Sequence, residues 1–398
     1  MVAASAKRTD GSRLKGRRRR PTFVGGMTLE KRGRLRSGVL ASIIVLAACA
    51  PTEEVPPPHL VELSQLPGWE QDASFQAYPA LLASCGVIET LSSDKALGVG
   101  GSPTEWREPC DAITQLKAAL VANTDDALRR TMEAQFIALD PGAGNAALVT
   151  GYYEPELDGS RVKDAAHPYP LYRLPSNPTQ LDRTQIDAGA LKGKKLELLW
   201  VSDRVEAFFL HVQGSGRVRL GDGSVVRVGF AGTNERPYAS IGKAMVDAGI
   251  MTKEEASLQS IRAYLQAHPD EIDDWLHRNP RYVFFKEQKA ANENAGPVGA
   301  LHVPLTPLRS IAMDPAFVPL GLPVWLDTIR PVTNARLQRL VVAQDKGSAI
   351  KGPGRIDLFW GAGDEAEAMA GVMKQPGTYW VIVPRSVGER WLAQQAGS

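Results

Sequence analysis

The chain has 398 residues, of which 43 % are hydrophobic and 23 % are charged. This is the composition of a folded protein with length for about two to three domains, and it excludes a chain that is disordered throughout. Residues 1–48 hold 12 of the 46 basic and 2 of the 44 acidic residues; the rest of the chain keeps 34 basic and 42 acidic residues, a formal net charge of −8. Because the basic surplus lies in this segment and no basic stripe with interleaved aromatic residues follows it, we expect no nucleic acid as partner.

The N-terminal segment has the order of residues found in signal peptides. After Met27 come four basic residues, then the apolar run Val39–Leu46, then Ala47 and Ala48. Either Met1 or Met27 can be the start of this segment. The apolar run is too short to span a bilayer, so the alternatives are a lipoprotein signal, an ordinary secretory signal and a buried segment of the fold.

Cys49 follows this run directly and precedes the Pro- and Glu-rich residues 51–58. The arrangement resembles a lipoprotein signal, in which cleavage leaves the cysteine as the acylated first residue. We therefore predict lipidation of Cys49 and a tether over residues 49–73. Since Ala50 is not the aspartate that usually retains lipoproteins in the inner membrane, we expect the protein at the periplasmic face of the outer membrane.

Residues 74–139 show helical periodicity, with Leu128, Met132 and Phe136 on one stripe. From Asn145 to Val149 the pattern changes to that of a strand. The two cysteines that remain after cleavage would lie in an oxidising compartment, where they either pair or stay as two buried thiols. They are Cys85 and Cys110.

Residues 155–230 are predicted to be β-structure, since Phe208, Leu210 and Val212 alternate with other residues. Asp222-Gly223 predicts a hairpin turn. The hairpin would place Val218 and Leu220 opposite Val226 and Val228.

Helices are predicted next, because Thr252 and Glu255 form a capping box ahead of an apolar stripe. The stripe consists of Leu258, Ile261 and Leu265. From about residue 300 onward the pattern predicts short strands separated by Pro and Gly turns, including Leu322–Leu326, Leu340–Ala343 and Trp380–Val383.

Several common catalytic motifs are missing from the sequence: HExxH, paired CxxC, the Walker loop and a strand-linked GxGxxG. The six histidines are scattered, so each is best explained as a surface or core residue. Gly214-Ser215-Gly216 lacks the five-residue frame of a nucleophile elbow and is better explained as a bend at a strand end. We therefore expect no metal and no cofactor.

Three aspartates near the C-terminus each lie beside turn residues and apolar, strand-like runs: Asp314, Asp345 and Asp357. They either cap turns or are functional, because a carboxylate at the end of a buried strand is costly without a partner. Phe359 and Trp360 follow Asp357 closely. Burial beside them, and a second carboxylate nearby, would raise the pKa of a carboxyl into the range of a general acid.

Four stretches between residues 150 and 285, together with the three aspartates, resemble the membrane-bound lytic murein transglycosylase A family and its C-terminal three-aspartate (3D) module. The resemblance covers about residues 145–385. The stretches are Thr150-Gly151-Tyr152-Tyr153-Glu154-Pro155, His211-Val212-Gln213-Gly214-Ser215-Gly216, Gly232 to Gly242, and Asn279-Pro280-Arg281-Tyr282-Val283-Phe284-Phe285.

The resemblance implies a mainly β fold with helices (α+β), in which a double-psi β-barrel carries a smaller inserted β domain and a glycan groove lies between them. The segments it implies are a signal over 1–48, a tether over 49–73, a helical region with the first part of the barrel over 74–154, the insert over 155–282, and the rest of the barrel over 283–388.

The resemblance also implies the reaction and the site. The protein would cleave the β-1,4 bond between N-acetylmuramic acid and N-acetylglucosamine in peptidoglycan and leave 1,6-anhydromuramyl ends. Asp357 would be the catalytic acid and base, Asp345 would assist it, and Asp314 would be a supporting residue. Lys346 departs from the small or polar residue that is commoner there, and would lower the pKa of Asp345. Residues expected to bind the glycan are Tyr152, Tyr153, Glu154, Gln213, Ser215, Gly216 and Trp360.

Two other classes of protein remain as alternatives. A non-catalytic peptidoglycan-binding lipoprotein would keep the groove without needing Asp357. An aspartic protease is suggested by Asp345-Lys346-Gly347-Ser348, but Lys346 occupies the position of a small polar residue and no second copy of the signature exists. The expected partners are glycan strands and, through the lipid, the outer membrane; the resemblance does not define any cell-wall enzyme complex.

Overall fold

Two β-sheets and the helices packed on them make up the part of the chain that the structure describes, residues 57–116, 124–289 and 295–396. This computed structural model belongs to the mixed α+β class. The signal segment, Cys49 and the first residues of the expected tether lie outside the described residues. Within those residues, no helix is long and apolar enough to cross a membrane.

The strands fall into two groups along the chain. The first sheet contains β1 (His59–Val61), β2 (Phe136–Asp140), β3 (Ala146–Glu154), β10 (Ser310–Ala312), β11 (Pro323–Ile329), β12 (Arg336–Asp345), β13 (Arg355–Ala362) and β14 (Lys374–Pro384). The second contains β4 (Glu156–Ser160), β5 (Tyr169–Tyr172), β6 (Glu197–Val201), β7 (Ser215–Leu220), β8 (Val225–Thr233) and β9 (Val283–Gln288).

The helices follow the same division. Those that pack with the first sheet are α1 (Tyr78–Glu89), α2 (Pro103–Gln115), α3 (Thr124–Gln135), α9 (Asp364–Ala370) and α10 (Arg385–Ala396). Those that lie in the chain between β5 and β9 are α4 (Arg183–Gln185), α5 (Arg204–Gln213), α6 (Ile241–Asp247), α7 (Leu258–Ala267) and α8 (Ile272–Leu276).

The pairing of the first sheet closes on itself. β3 pairs in parallel with β13 and antiparallel with β14, so β3, β13, β10, β12, β11 and β14 follow one another in a ring. The β10–β12 and β13–β3 pairs are parallel and the other four are antiparallel. β2 continues from β14, and β1 continues from β2. We call these six strands the ring.

Apolar side chains fill the ring and the space beneath its helices. Val324, Trp325 and Leu326 on β11 are fully buried, as is the run from Leu340 to Ala343 on β12. Continuous apolar runs of this kind are expected of strands that are buried on both faces. The predicted stripe is confirmed as core: Leu128 and Met132 lie on α3, Phe136 begins β2, and all three are fully buried.

Cys85 on α1 and Cys110 on α2 form a disulfide, which decides between the two alternatives that the sequence left open. The bond ties together two helices that pack on the ring. It closes a loop of the kind that restricts the unfolded chain and so stabilises the folded one.

The second sheet lies in the chain between β3 and β10, and with its helices it forms what we call the insert. Its strand order is β5-β6-β4-β7-β8-β9. The predicted hairpin is confirmed, since Val218 on β7 pairs with Val226 on β8. Gly223 takes φ 84° in the turn, a conformation that favours glycine.

Three expectations from the sequence are wrong in extent or type. Phe208, Leu210 and Val212 lie on helix α5, where the Asp203 side chain accepts hydrogen bonds from the first-turn amides of Val205 and Glu206. The tether is shorter than 49–73, because β1 pairs with β2 and the buried Leu63, Leu66 and Trp69 belong to the core. The insert extends beyond residue 282, because β9 completes its sheet.

The capping box at Thr252 forms, but it does not begin the helix. Glu255 accepts a hydrogen bond from the Thr252 amide and donates its own amide to the Thr252 hydroxyl. Helix α7 begins at Leu258 with Ser257 as its cap. The predicted stripe is retained, with Ile261 and Leu265 buried.

Candidate functional site

A cavity of about 690 Å³ lies between the ring and the insert, and we call it the groove. Its walls come from both parts of the protein. Ring-side residues include Thr150, Tyr152, Asp345 and Asp357, and insert-side residues include His211, Gln213, Ser215, Phe230 and Tyr238. Two of the three aspartates singled out in the sequence therefore face one cavity.

Asp357 lies on β13 opposite Thr150 of the parallel neighbour β3. This register brings the Thr150 hydroxyl to the carboxyl, and it donates a hydrogen bond of 2.6 Å to Asp357 Oδ1. The Arg355 guanidinium donates in turn to the Thr150 hydroxyl at 2.9 Å. Each contact fixes the position of the next, so the carboxyl is held in one orientation.

The pKa of Asp357 is raised to about 6, mainly because burial disfavours its charged form. The hydrogen bond from Thr150 and the charge of Arg355 lower this pKa, and the nearby Asp345 raises it. Burial prevails. A carboxyl with such a pKa is partly protonated at mildly acid pH, as a general acid must be.

Asp345 ends strand β12 and is held by three donors. The amides of Ala300 and Lys346 donate to its Oδ1 at 3.0 and 2.9 Å, and the Tyr152 hydroxyl donates to Oδ2 at 3.1 Å. Burial nevertheless raises the pKa of Asp345 above its ordinary value. As expected from the sequence, the charge of Lys346 lowers the pKa of Asp345, but the effect of burial is larger.

Asp314 has a different environment and does not line the groove. Its carboxylate accepts hydrogen bonds from the amides of Gly352 at 3.0 Å and Ala316 at 3.3 Å, and Lys351 lies 3.7 Å away. The Gly352 bond is the main cause of a lowered pKa at Asp314. The residue ties down the loop between β12 and β13, which separates the two aspartates of the groove.

Gln213 and Ser215 line the insert side where α5 gives way to β7. Gly214 between them takes φ 80°, which ends the helix. The Gln213 side chain accepts the amide hydrogen of Tyr153 on β3 at 3.2 Å. This bond joins the insert to the ring at the groove.

His211 also lines the groove, and its protonation is fixed by Arg183. Because a guanidinium only donates, the 3.1 Å contact makes His211 Nδ1 the acceptor and leaves the hydrogen on Nε2. Burial, and then the Arg183 charge, hold the pKa of His211 well below its ordinary value. Among the described residues, no group of three or more His, Cys, Asp or Glu side chains could hold a metal ion.

Comparison with known proteins assigns both parts of the molecule. The MltA specific insert domain matches residues 148–286, and the 3D domain matches residues 309–383. Membrane-bound lytic murein transglycosylase A of Vibrio cholerae is 31 % identical over 328 residues, which cover 77 % of this chain and 87 % of the relative. The chain belongs to this family. The transglycosylase A of Escherichia coli K12 is 37 % identical over 61 % of this chain and 67 % of its own length.

Solved structures of the family support the same assignment. The lytic transglycosylase LtgG of Burkholderia pseudomallei is 44 % identical and covers 83 % of this chain and 96 % of its own, with a TM-score of 0.57. A membrane-bound lytic murein transglycosylase of Agrobacterium tumefaciens is 29 % identical and covers 84 % of this chain and 100 % of its own, with a TM-score of 0.75. Escherichia coli MltA with bound chitohexaose is 28 % identical and covers 82 % of this chain and 94 % of its own, with a TM-score of 0.65.

Four residues that the family resemblance implied as glycan-binding do not line the groove: Tyr153, Glu154, Gly216 and Trp360. Tyr153 and Trp360 are core residues, and the Trp360 indole donates to Met373 Sδ at 3.2 Å. Successive strand residues point to opposite faces, so Tyr152 and Asp357 face the groove while Tyr153 and Trp360 point away.

Glu154 and Gly216 have packing roles instead. Glu154 is 1 % exposed and forms ion pairs with Arg217 at 2.9 Å and Arg227 at 3.4 Å, where the chain passes from ring to insert. A Cβ on Gly216 would lie 2.4 Å from Leu210 Cδ1 and 2.9 Å from the Pro155 carbonyl oxygen. Glycine there permits the close approach of α5 and β7.

Among the groove residues that the sequence did not single out are Thr150, Tyr238, Phe230 and Arg355. Thr150 and Tyr238 lie within stretches that carry the family resemblance, and this was an available signal. Phe230 on β8 is 51 % exposed and presents an open aromatic face to the groove. Nothing in the local pattern around Phe230 or Arg355 marks them as groove residues.

Proposed function

We propose that Asp357 is the single acid and base of the reaction that this protein catalyses. As a member of its family, the protein is a peptidoglycan lytic transglycosylase. It cleaves the β-1,4 bond between N-acetylmuramic acid and N-acetylglucosamine and leaves 1,6-anhydromuramyl ends. The observation that carries the residue assignment is a carboxyl with a pKa of about 6 that faces the groove.

The chemistry needs one proton to move twice. Protonated Asp357 gives its proton to the glycosidic oxygen as the bond from that oxygen to the anomeric carbon breaks. The 6-hydroxyl of the muramyl residue then forms a bond to the same carbon and loses its proton to the Asp357 carboxylate. Because the nucleophile belongs to the substrate, the carboxyl separations that apply to hydrolases do not apply here.

Asp345 is proposed to assist by charge. A fixed negative group stabilises the positive charge that develops at the anomeric carbon. The three groups that donate hydrogen bonds to Asp345 hold its carboxylate in place, so it need not move during the reaction. Tyr152 is assigned to the orientation of Asp345 and to one wall of the groove. Gln213 and Ser215 are proposed to bind sugar hydroxyls, and Asp314 to support the loop between the aspartates.

Asp357→Asn tests the assignment, because an amide keeps the shape of the carboxyl but cannot give and recover a proton. We expect cleavage of purified sacculi to fall by about 10²–10⁴-fold while strand binding is retained. Asp345→Asn should lower the rate less. Asp247→Asn, at an exposed position on α6, is the matched control. Wild-type activity in Asp357→Asn would overturn the assignment.

The products give an independent test of the reaction class. Intramolecular attack removes no water from solvent, so muropeptides released by the protein should be about 18 Da lighter than hydrolysis products. Mass spectrometry of the digest measures this directly. Reducing ends in place of anhydro ends would indicate a hydrolase. No release of muropeptides at all would favour the alternative of a non-catalytic binding lipoprotein.

We further propose that the ring is a double-psi β-barrel interrupted by the insert. Its six strands, two parallel pairs and closing β14–β3 pair support this. In this proposal residues 74–154 and the chain after β9 build the barrel and its helices. A solved crystal structure with an open edge between β3 and β14 would contradict it.

The N-terminus is proposed to be a lipid anchor. Residues 1–48 would be the signal and Cys49 the acylated first residue, and the relatives from Vibrio cholerae and Escherichia coli are named as membrane-bound proteins. The expected location is the periplasmic face of the outer membrane. Cys49→Ala should release the protein from washed membranes, and retention of that variant there would count against the anchor.

A further inference from the structure

The groove has an excess of positive charge. Six basic side chains line it, against the two carboxyls of Asp345 and Asp357. Those two carboxyls have raised pKa values and are reserved for the reaction proposed above. The excess is notable because residues 49–398 carry a formal net charge of −8, so the cations are concentrated here against the overall balance.

Some of these basic side chains bind other groups within the protein. The Arg183 guanidinium donates to His211 and to two backbone carbonyls, those of Asn279 and Arg281. Arg355 donates to Thr150, Arg281 donates to the Arg236 carbonyl oxygen, and Lys351 lies beside Asp314. Their charges are explained by the architecture of the site.

Two lysines in the groove are not explained in this way. Lys286 lies on β9 of the insert and Lys346 follows β12 of the ring, so one stands on each side. Both are exposed, and among the described residues neither forms an ion pair with a carboxylate within 4 Å, although the Lys346 charge acts on Asp345 from a greater distance. The Phe230 ring, on the strand next to β9, adds an exposed apolar face to the insert side.

The glycan backbone supplies no partner for such charges. Its hydroxyl and N-acetyl groups are neutral, and the carboxylates of peptidoglycan lie on the muramyl side chain: on the lactyl group once it is freed of peptide, and otherwise along the peptide stem. Flexible ammonium groups on both walls suit carboxylates that project sideways from a strand lying in the groove.

We propose that Lys286 and Lys346 bind carboxylates of the peptide stem, so that the enzyme prefers strands that still carry their peptides. The proposal rests on the assignment of the groove as the glycan site. An exposed ion pair contributes little, so each lysine should change affinity by about 1.5- to 5-fold. The contribution should weaken as salt screens the charges.

The test measures binding without turnover, in the Asp357→Asn background, by titration calorimetry. Three probes are compared: short soluble glycan strands with intact stems, the same strands after amidase treatment, which carry only lactyl carboxylates, and chitohexaose, which carries none. The variants are Lys286→Gln and Lys346→Gln. Lys192→Gln, at an exposed lysine outside the groove, is the control.

We expect each groove variant to weaken binding of the stem-bearing strands by about 1.5- to 5-fold and to leave chitohexaose binding unchanged. Added salt should weaken the binding of stem-bearing strands only by the protein that retains both Lys286 and Lys346. An equal loss for chitohexaose, or no loss for any probe, would overturn the proposal. An equal loss for stem-bearing and amidase-treated strands would also overturn it, since the lactyl carboxylate would then be the ligand.

Failure of this proposal can be told apart from failure of the proposed catalysis. Binding in the Asp357→Asn background does not depend on which residue moves the proton. If that background still cleaved sacculi, the acid assignment would fall, and the lysine comparison would then be made from the KM values of stem-bearing and amidase-treated strands. If catalysis followed Asp357 while no variant discriminated between the probes, only the stem proposal would fall.

Discussion

The hydroxyl of Thr150 offers a way to move the pKa of the proposed acid without touching the acid itself. It donates a 2.6 Å hydrogen bond to Asp357 Oδ1, and this bond stabilises the ionised carboxylate. Thr150→Val removes the donor and keeps the shape of the side chain. Arg355, which also donates to Thr150, retains its bonds to the Leu148 and Ile356 carbonyl oxygens at 3.2 and 3.0 Å, so it should stay in place.

The size of the effect follows from the strength of the bond. A hydrogen bond to a charged group contributes about 1.5–3 kcal/mol, and about 1.4 kcal/mol corresponds to one pKa unit. The pKa of Asp357 should therefore rise from about 6 by about one to two units. At pH 7 the protonated fraction would increase from about one tenth to about one half or more.

The pH dependence of kcat/KM measures this shift, because it reports the essential acid of the free enzyme. Activity requires the protonated form and is lost as pH rises through the pKa, so the alkaline limb of the profile should move to higher pH in Thr150→Val. Thr131→Val, which removes a hydroxyl bonded to Ala127 within α3, should leave the limb unmoved. An unmoved or downward-shifted limb in Thr150→Val would refute the link between Thr150 and the acid.

Three further outcomes are expected. Asp357→Asn should have a free energy of unfolding about 1–3 kcal/mol greater than wild type at pH 7 but not at pH 4, as urea unfolding at both pH values would measure. The pKa of the Asp357 carboxyl rises from 3.8 to about 6 on folding, so the wild-type protein loses stability as pH rises through that window. An amide does not titrate, so the variant does not share this loss. A difference that is independent of pH would contradict this. Glu154→Gln should cost about 1–3 kcal/mol in thermal unfolding, because it removes a buried carboxylate that accepts a charged hydrogen bond from Arg217, while the burial that raises the pKa of Glu154 offsets part of this loss. Glu156→Gln, whose partner Arg219 is exposed, should cost no more than about 1 kcal/mol, and equal costs would show that burial does not matter here. EDTA should leave the rate of sacculus digestion unchanged, since the proposed steps use only carboxyl and hydroxyl groups; loss of activity that zinc restores would redirect attention to the histidines.

The aspartates could be predicted from the sequence because their signal is local. Asp345 and Asp357 each adjoin an apolar run, and a carboxylate at the end of a buried strand needs a reason to be there. Both lie in the groove. Their bonds to Thr150 and Tyr152 could not be foreseen, because they depend on how β12 and β13 lie against β3, which is distant in the chain.

The position of Trp360 outside the groove could have been predicted from the sequence. Asp357 and Trp360 are three residues apart on one strand, and an odd spacing places side chains on opposite faces. Phe359 points to the same side as Asp357 and contacts Tyr152, with ring centroids 5.2 Å apart. The same rule separates Tyr153 from Tyr152. Proximity in sequence was given more weight than the strand period.

Helix α5 shows where periodicity itself fails. It is apolar nearly all round, because Phe208 and Phe209 pack among the insert helices while Leu210 packs on the insert sheet. A short segment that is buried on all sides has no polar face to reveal its period, so alternation at three positions indicated a strand. The Asp203 cap was the better signal, since its side chain bonds two first-turn amides.

The last strand of the ring has a consequence for how the enzyme comes into being. β14 pairs with β2, β3 and β11, so these three strands cannot complete their pairing until β14, the last strand of the ring, has been synthesised. Contacts between such distant segments make folding slow, and here they also make it late. Loss of the chain from Lys374 onward would leave β3 and β11 with open edges and the wall of the groove unsupported. The ring, and with it the wall of the groove that carries Thr150, therefore cannot close before its final strand has been made.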